Sequence, residues 1–350
     1  MKLHSKRFTA LAALGLSASM ALTACGGSDD PEAGTGGEDG GGGGGDITLT
    51  MLPKNLGNPY FDTSTAGAEE AAEELGASIE EVGPEQASPD AQVQYINTAA
   101  QQGVSGLIVS ANDPTAICDA IEEARSAEVK VVTFDSDTSP ECRDLFVNQA
   151  TPEGIAAKQL ELIAEQIGGS GEIAVLSASA NATNQNAWIE MMEAELESNP
   201  DYADIELVDI VYGDDEDQKS FDQTEALLSN HPNLKGIVSP TTVGIAAAAR
   251  YLSESEFKGK VALTGLGTPD QMRPYVEDGT VEAFALWNPA DLGYLATHAT
   301  AALVEGDITG EEGDTFEAGR LGEYTVEADG VVVLGEPFVF DADNIDDFNF

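Results

Sequence analysis

The stretch "TLTMLPKNLGNPYFD", Thr48 to Asp62, starts as a buried β-strand and turns abruptly into lysine, asparagines, proline and two aromatics. An alanine-rich helical pattern comes at once in "AEEAAEEL". From Asp46 onward the same alternation recurs: short apolar run, polar loop, amphipathic segment, glycine. "SPDAQVQYINTAAQQG" shows the helical half. Ser88 can cap, Pro89 suits the first helical position, Val93, Ile96 and Ala100 share a face, and Gly103 can terminate. A further helix is expected near Pro114–Ser126. "GLIVS", "VKVVTF", "EIAVLS", "IELVDIVY", "KGIVS", "KVALTG" and "VEAFAL" are nearly all apolar, as parallel strands covered on both faces require. One doubly wound sheet rarely needs so many strands, so two doubly wound α/β sheets side by side is the economical fold.

In open α/β sheets ligands bind beyond the carboxyl ends of the strands. The residues delivered there form a consistent set. Lys54, Asn58, Tyr60 and Phe61 follow the first strand, "SANDP" with Asp113 the second, and "DSD" (Asp135–Asp137) the third. Later strands deliver "NATNQNAW" (Asn181–Trp188), "PTT" (Pro240–Thr242), "GLGTP" (Gly265–Pro269) and "WNP" (Trp287–Pro289). Amides, hydroxyls, a few carboxylates and aromatics suit hydroxyl groups and the C–H faces of a ring.

The first residues read as a secretory leader. Lys2, Lys6 and Arg7 precede an apolar run too short and too rich in alanine and serine for a good membrane span, ending in Leu22-Thr23-Ala24-Cys25. That ending resembles the lipobox of bacterial lipoproteins, with residues 1–24 removed and Cys25 acylated; the alternative is an ordinary leader with a chance cysteine. Residues 25–45 are almost wholly small and polar, a flexible linker and tether. About 300 residues remain, enough for two lobes with their own cores. The formal net charge of −48 lacks the basic footprint of a nucleic-acid binder. The acids lie on helix faces and in "DDEDQ" (Asp214–Gln218), which reads as a solvated exterior and lacks the glycine and terminal glutamate of a calcium loop. In an oxidising compartment Cys118 and Cys142 are expected to pair, with two buried free thiols as the alternative.

Signals for catalysis are weak. Beyond the leader only His231 and His298 remain, without zinc-site spacing, and there is no G-x-S-x-G elbow. "GGSGEIAV" precedes its strand, whereas a dinucleotide fingerprint or P-loop comes after one. Asp135 and Asp137 have no neighbouring nucleophile or second proton carrier. The expectation is a binding protein with no cofactor and no metal.

"LPKNLGNPYFD", "SANDP", "FDSDTSPECR", "TNQNAW", "VYGDD", "SPTTVG", "TGLGTPDQMRPYVEDGTVEAFALWNPADLGY" and "FVFDADNIDDF" resemble, in order and from about Ile47 to Phe350, the type I periplasmic binding proteins of ABC importers. Within them the likeness is to the branch of rhamnose-binding and autoinducer-2-binding proteins. The resemblance implies two Rossmann-like lobes joined by hinge crossings, with residues 46–148 and 289–322 in the first and 149–288 and 323–350 in the second. It implies a lipid-anchored monomer outside the cytoplasm, touching the membrane only through its anchor. Its partners are a sugar in the inter-lobe cleft and the permease subunits; a sugar-sensing receptor for signalling or chemotaxis is the second functional class.

The expected ligand set is Lys54 and Asn58 as donors, Phe61 as a ring face with Tyr60 packing, and Asp135 as acceptor with Arg143 its positive neighbour. Asp113 and Pro240 join it, Asn184 and Gln185 come from the second lobe, and Thr242 and Asn288 lie opposite. Trp188 and Trp287 join this set, although each could equally be lobe core. Asp135→Ala is expected to abolish binding and leave the fold intact. The autoinducer-2 type carries aspartate at the position of Asn184 and alanine at that of Thr242. Asn184 offers both donor and acceptor and Thr242 adds a hydroxyl, which favours rhamnose or a close deoxyhexose. "SDTSPECR" and "MRPYVEDGTVEAF" lean toward autoinducer-2.

Overall fold

The computed structural model describes residues 47–350. The leader, the linker and Cys25 lie outside them. The chain first lays down β1 (Thr48–Leu52), α1 (Pro59–Leu75), β2 (Ser78–Glu81), α2 (Pro89–Gln102), β3 (Gly106–Val109), α3 (Cys118–Ser126), β4 (Lys130–Phe134) and β5 (Leu145–Asn148). It then crosses to α4 (Pro152–Gln166), β6 (Gly171–Ser177), α5 (Thr183–Ser198), β7 (Ile205–Tyr212), α6 (Asp217–Asn230) and β8 (Leu234–Ser239). Next come α7 (Thr242–Glu254), β9 (Ala262–Gly265), α8 (Pro269–Glu277) and β10 (Ala283–Leu286). The long helix α9 (Pro289–Glu305) returns, followed by β11 (Thr315–Glu317), β12 (Glu323–Thr325), β13 (Val331–Val333) and β14 (Phe338–Asp341).

The first sheet is parallel, in the order β13-β5-β4-β3-β1-β2. The second core is the parallel β7-β6-β8-β9 sheet; a bridge from Leu266 to Ala285 leads on to β10, which pairs antiparallel with β14. The apolar strands are sealed on both faces: β3 is buried throughout, and β4 and β1 at all but their first residue. Helix ends obey local chemistry. Asn58 caps α1 by accepting from the Tyr60 amide, and Ser88 caps α2 by accepting from Ala91. Gly76 and Gly103 close those helices at φ 66° and 68°, where a β-carbon is disfavoured.

Sheet pairing corrects one expected boundary. The resemblance places residues 323–350 in the second lobe, yet β13 pairs with β5 in the first sheet, Val331 to Phe146 through Val333 to Asn148. The last crossing therefore falls between Val333 and Phe338, not at 322. The short valine run is a half-buried parallel edge strand, and its partner lies too far back in sequence for local pattern to reveal.

Cys118, opening α3, and Cys142, in the turn after β4, are joined, with α-carbons 5.3 Å apart. They follow the adjacent strands β3 and β4. The bond closes a loop with a sequence separation of 24. Replacing both cysteines by serine is expected to cost about 3 kcal/mol by the unfolded-state entropy released. Mass spectrometry after alkylation should find no free thiol in secreted protein; two alkylated cysteines would rule the bond out.

Candidate functional site

The carboxyl ends of both sheets face one cavity, with about 370 Å³ of space partly open to solvent. Its centre is Asp135, 5% exposed at the end of β4. Its carboxylate accepts from the Tyr60 hydroxyl at 3.0 Å and the Ser110 hydroxyl at 2.8 Å. The Lys54 ammonium lies 3.8 Å away. Asp135 itself sits at φ 61°, and the Ser136 amide donates across it to the Phe134 carbonyl at 2.6 Å. That is a γ-turn of the rare, strained hand, of the kind that collects at functional sites.

The second lobe reaches this centre through the N-terminus of α5. Lys54 donates to Asn184 Oδ1 at 3.1 Å, and Asn184 Nδ2 donates to the Asp135 carbonyl at 3.3 Å. Asn184 thus meets the first lobe as donor and acceptor at once. Gln185 Oε1 is fixed by Ser177 Oγ and the Ala178 amide, both at 2.8 Å, which turns the amide nitrogen to the remaining side. Asn58 behaves alike: its oxygen caps α1, and its nitrogen makes no bond within the described residues. Two amide donors are thereby oriented by contacts to their oxygens.

A chain of rings forms one wall and continues behind it. Phe134, Phe61, Tyr60, Trp287 and Trp188 succeed one another edge to face at centroid distances of 5.1–6.2 Å, from the first-lobe core through the β10–α9 crossing to α5. Trp287 Nε1 donates to the Tyr60 hydroxyl at 2.9 Å. Burial, then the Asp135 charge, push the Tyr60 phenol well above its ordinary pKa, so it remains a donor. Opposite lie Pro240, Thr242 and, from the turn after β7, Asp215. Asp215 accepts from the Thr241 hydroxyl. Burial raises its carboxyl pKa, against the Thr241 bond and Lys54 and with help from Asp135.

Of the expected residues, Lys54, Asn58, Phe61, Asp135, Asn184, Gln185, Trp188, Pro240, Thr242 and Trp287 all line this cavity. Three do not. Arg143 grips Asp137 through Nε and Nη2, each at 2.8 Å, and donates to the Asp329 carbonyl at 2.7 Å. Every arm of its guanidinium is engaged in tying the loop after β4 to the turn before β13, and the cation beside Asp135 is Lys54. Asp113 accepts from the Thr115 and Ala116 amides, both at 2.9 Å, and so delays the start of α3 from Pro114 to Cys118. Asn288 caps α9 through the Ala290 amide at 3.0 Å. Further residues outside that ligand set line the cavity. Tyr60 is part of the polar centre rather than mere packing, and Thr241, Leu266 and Leu286 complete the walls. Asp215 is hidden in "DDEDQ", whose composition reads as solvated exterior. Asp214 and Asp215 take φ 53° and 52°, and that turn aims one acid inward.

Charged and neutral donors, two carboxylates from opposite lobes and flat aromatic faces make a receptor for a small polyhydroxylated molecule. Among the described residues no histidine, cysteine or serine lines it. The chain belongs to the periplasmic-binding-protein family: the periplasmic binding protein domain matches residues 49–308. That family works outside the cytoplasm. A sugar ABC transporter protein from Actinomyces odontolyticus is 54% identical, over 87% of this chain and 98% of that one, with a TM-score of 0.71. An ABC transporter solute binding protein from Clostridium phytofermentas with bound L-rhamnose is 39% identical over the same shares, with a TM-score of 0.84. LsrB from Clostridium saccharobutylicum in complex with AI-2 is 26% identical, over 87% of this chain and 100% of that one, with a TM-score of 0.82. These relatives are binding components of transporters, not enzymes.

Proposed function

We propose that this protein is the lipid-anchored solute-binding subunit of a sugar ABC importer and takes L-rhamnose, or a close deoxyhexose, between its lobes. The observation that carries the ligand is the pairing of a rhamnose-bound relative at 39% identity with Asn184 and Thr242 in the cavity lining. Asp135 and Asp215 accept from ring hydroxyls, Lys54, Asn58 and Gln185 donate, and the Tyr60–Phe61–Trp287 wall covers a C–H face. Closure brings both lobes onto the sugar, so ligand binding shifts the population toward the closed form that the permease recognises.

Calorimetric titration with L-rhamnose, its epimers and autoinducer-2 tests the ligand. One-to-one binding of rhamnose, with its epimers weaker and autoinducer-2 silent, is expected. Tight autoinducer-2 binding with none for rhamnose would overturn the choice and favour the second reading, which the aspartate–lysine centre also suits. Genes for a permease and an ATPase beside this one would favour import over sensing.

A further inference from the structure

The inner cavity adjoins a second space and shares two lining residues with it. Asn58 and Asp215 each have a second side, which faces an outer chamber between the lobes with about 680 Å³ of space partly open to solvent. The first lobe contributes Asn55 and Glu85 to it, from the loops after β1 and β2; the second contributes Ala246 of α7 and Gln271 of α8. Asn55 is 8% exposed, and its amide oxygen is buried with no hydrogen-bond partner among the described residues. That oxygen is sealed from the chamber, so a ligand there meets the amide nitrogen of Asn55, a donor without a partner among the described residues. Among the described residues no lysine, arginine or histidine lines the chamber. Amides, carboxylates and a small apolar face are again the chemistry that recognises hydroxyls on a ring.

We propose that the cleft takes a sugar carrying a second polyhydroxylated unit, a short glycoside, with one ring in the inner cavity and the next in this outer chamber. The inference rests on the sugar-binding reading of the inner cavity and names a larger ligand class for it. Asn58 and Asp215 stand at the junction and touch both units. A hydroxyl of the second ring accepts from the Asn55 amide nitrogen, and Glu85 and Gln271 bind the ring from opposite lobes. Ala246 is the point where a larger side chain would fill the chamber from the α7 side.

The test titrates the purified full chain with L-rhamnose and with two disaccharides in which rhamnose is joined through its anomeric carbon to glucose. The expected result is disaccharide binding at least tenfold tighter than rhamnose. Ala246→Phe should remove that gain and leave the rhamnose affinity within about twofold. Glu85→Ala, on an exposed loop, gives a second variant that does not depend on α7 accepting a larger residue, and it should lower disaccharide affinity alone. Rhamnose binding with disaccharides that bind no tighter, or with a gain that neither variant touches, overturns the outer chamber and leaves the inner site standing. Failure of a folded protein to bind either kind of ligand overturns both.

Discussion

Asp135→Asn is expected to lower sugar affinity by about two or more orders of magnitude while the protein still folds. A carboxylate accepting from two ligand hydroxyls makes charge-assisted bonds, each contributing about 1.5–3 kcal/mol, and losing about 3 kcal/mol is a factor of roughly 100 in Kd. Asparagine is the informative replacement because it keeps the side-chain shape and because the backbone stands at a positive φ of 61°, which asparagine adopts more readily than alanine. The amide oxygen can still accept from Tyr60, but its nitrogen turns a donor toward Ser110 or the Lys54 ammonium. Asp135→Ala tests something else. Both variants break the buried pair with Lys54, 4% exposed, which costs about 3–5 kcal/mol, but alanine also leaves the Tyr60 and Ser110 hydroxyls without their acceptor. The expectation that alanine leaves the fold intact therefore gives way to a measurable loss of stability. Calorimetry and thermal unfolding on both variants separate the two effects. An Asn variant binding within threefold of the parent would show that the carboxylate does not face the sugar.

Much of this site is readable from sequence because strand ends in a parallel sheet are positional facts. Apolar runs in "GLIVS" and "VKVVTF" locate the ends, and the loop residues just beyond them must face the cleft. The exceptions share a cause. Asp113 and Asn288 are short polar side chains beside a turn or helix start, where backbone amides compete for them. Asn58 caps a helix too, yet it lines the cavity, because an amide has a second end to offer. Arg143 escapes such reading since its partners include the backbone at Asp329, 186 residues away, which no local pattern reports. Asp215 differs from its acidic neighbours only by the conformation of its turn. The lobe crossing after β13 is hidden for the same reason as the role of Arg143, a contact between distant parts of the chain.

Gly67→Ala and Gly293→Ala are each expected to destabilise the protein by about 3 kcal/mol, although helix propensity alone says the opposite. In a helix interior alanine is favoured over glycine by about 0.8–1 kcal/mol, so both substitutions should help if the glycines were incidental. They are not. A β-carbon on Gly67 would stand 1.9 Å from the Ala290 carbonyl oxygen, and one on Gly293 would stand 1.9 Å from that of Ser64. The backbones of α1 and α9 touch at these two points, and neither oxygen can rotate away. Ordinary contact begins at 3.4 Å, so the helices must part or tilt, and overpacking of a close-packed core costs about 1–3 kcal/mol or more. The consequence reaches the cleft. Tyr60 and Phe61 lie at the start of α1, and Trp287 sits just before the Asn288 cap of α9, so separating the helices pulls the ring wall from the Tyr60–Asp135 centre. Sugar affinity should fall with stability, and the double variant should cost less than the sum because both changes open one contact. Gly103→Ala is the control: its φ of 68° makes alanine strained but nothing lies within 4 Å, so a loss of about 1 kcal/mol without change in binding is expected. Denaturant unfolding decides it by sign. If Gly67→Ala and Gly293→Ala are as stable as the parent or more so, α1 and α9 do not touch backbone to backbone.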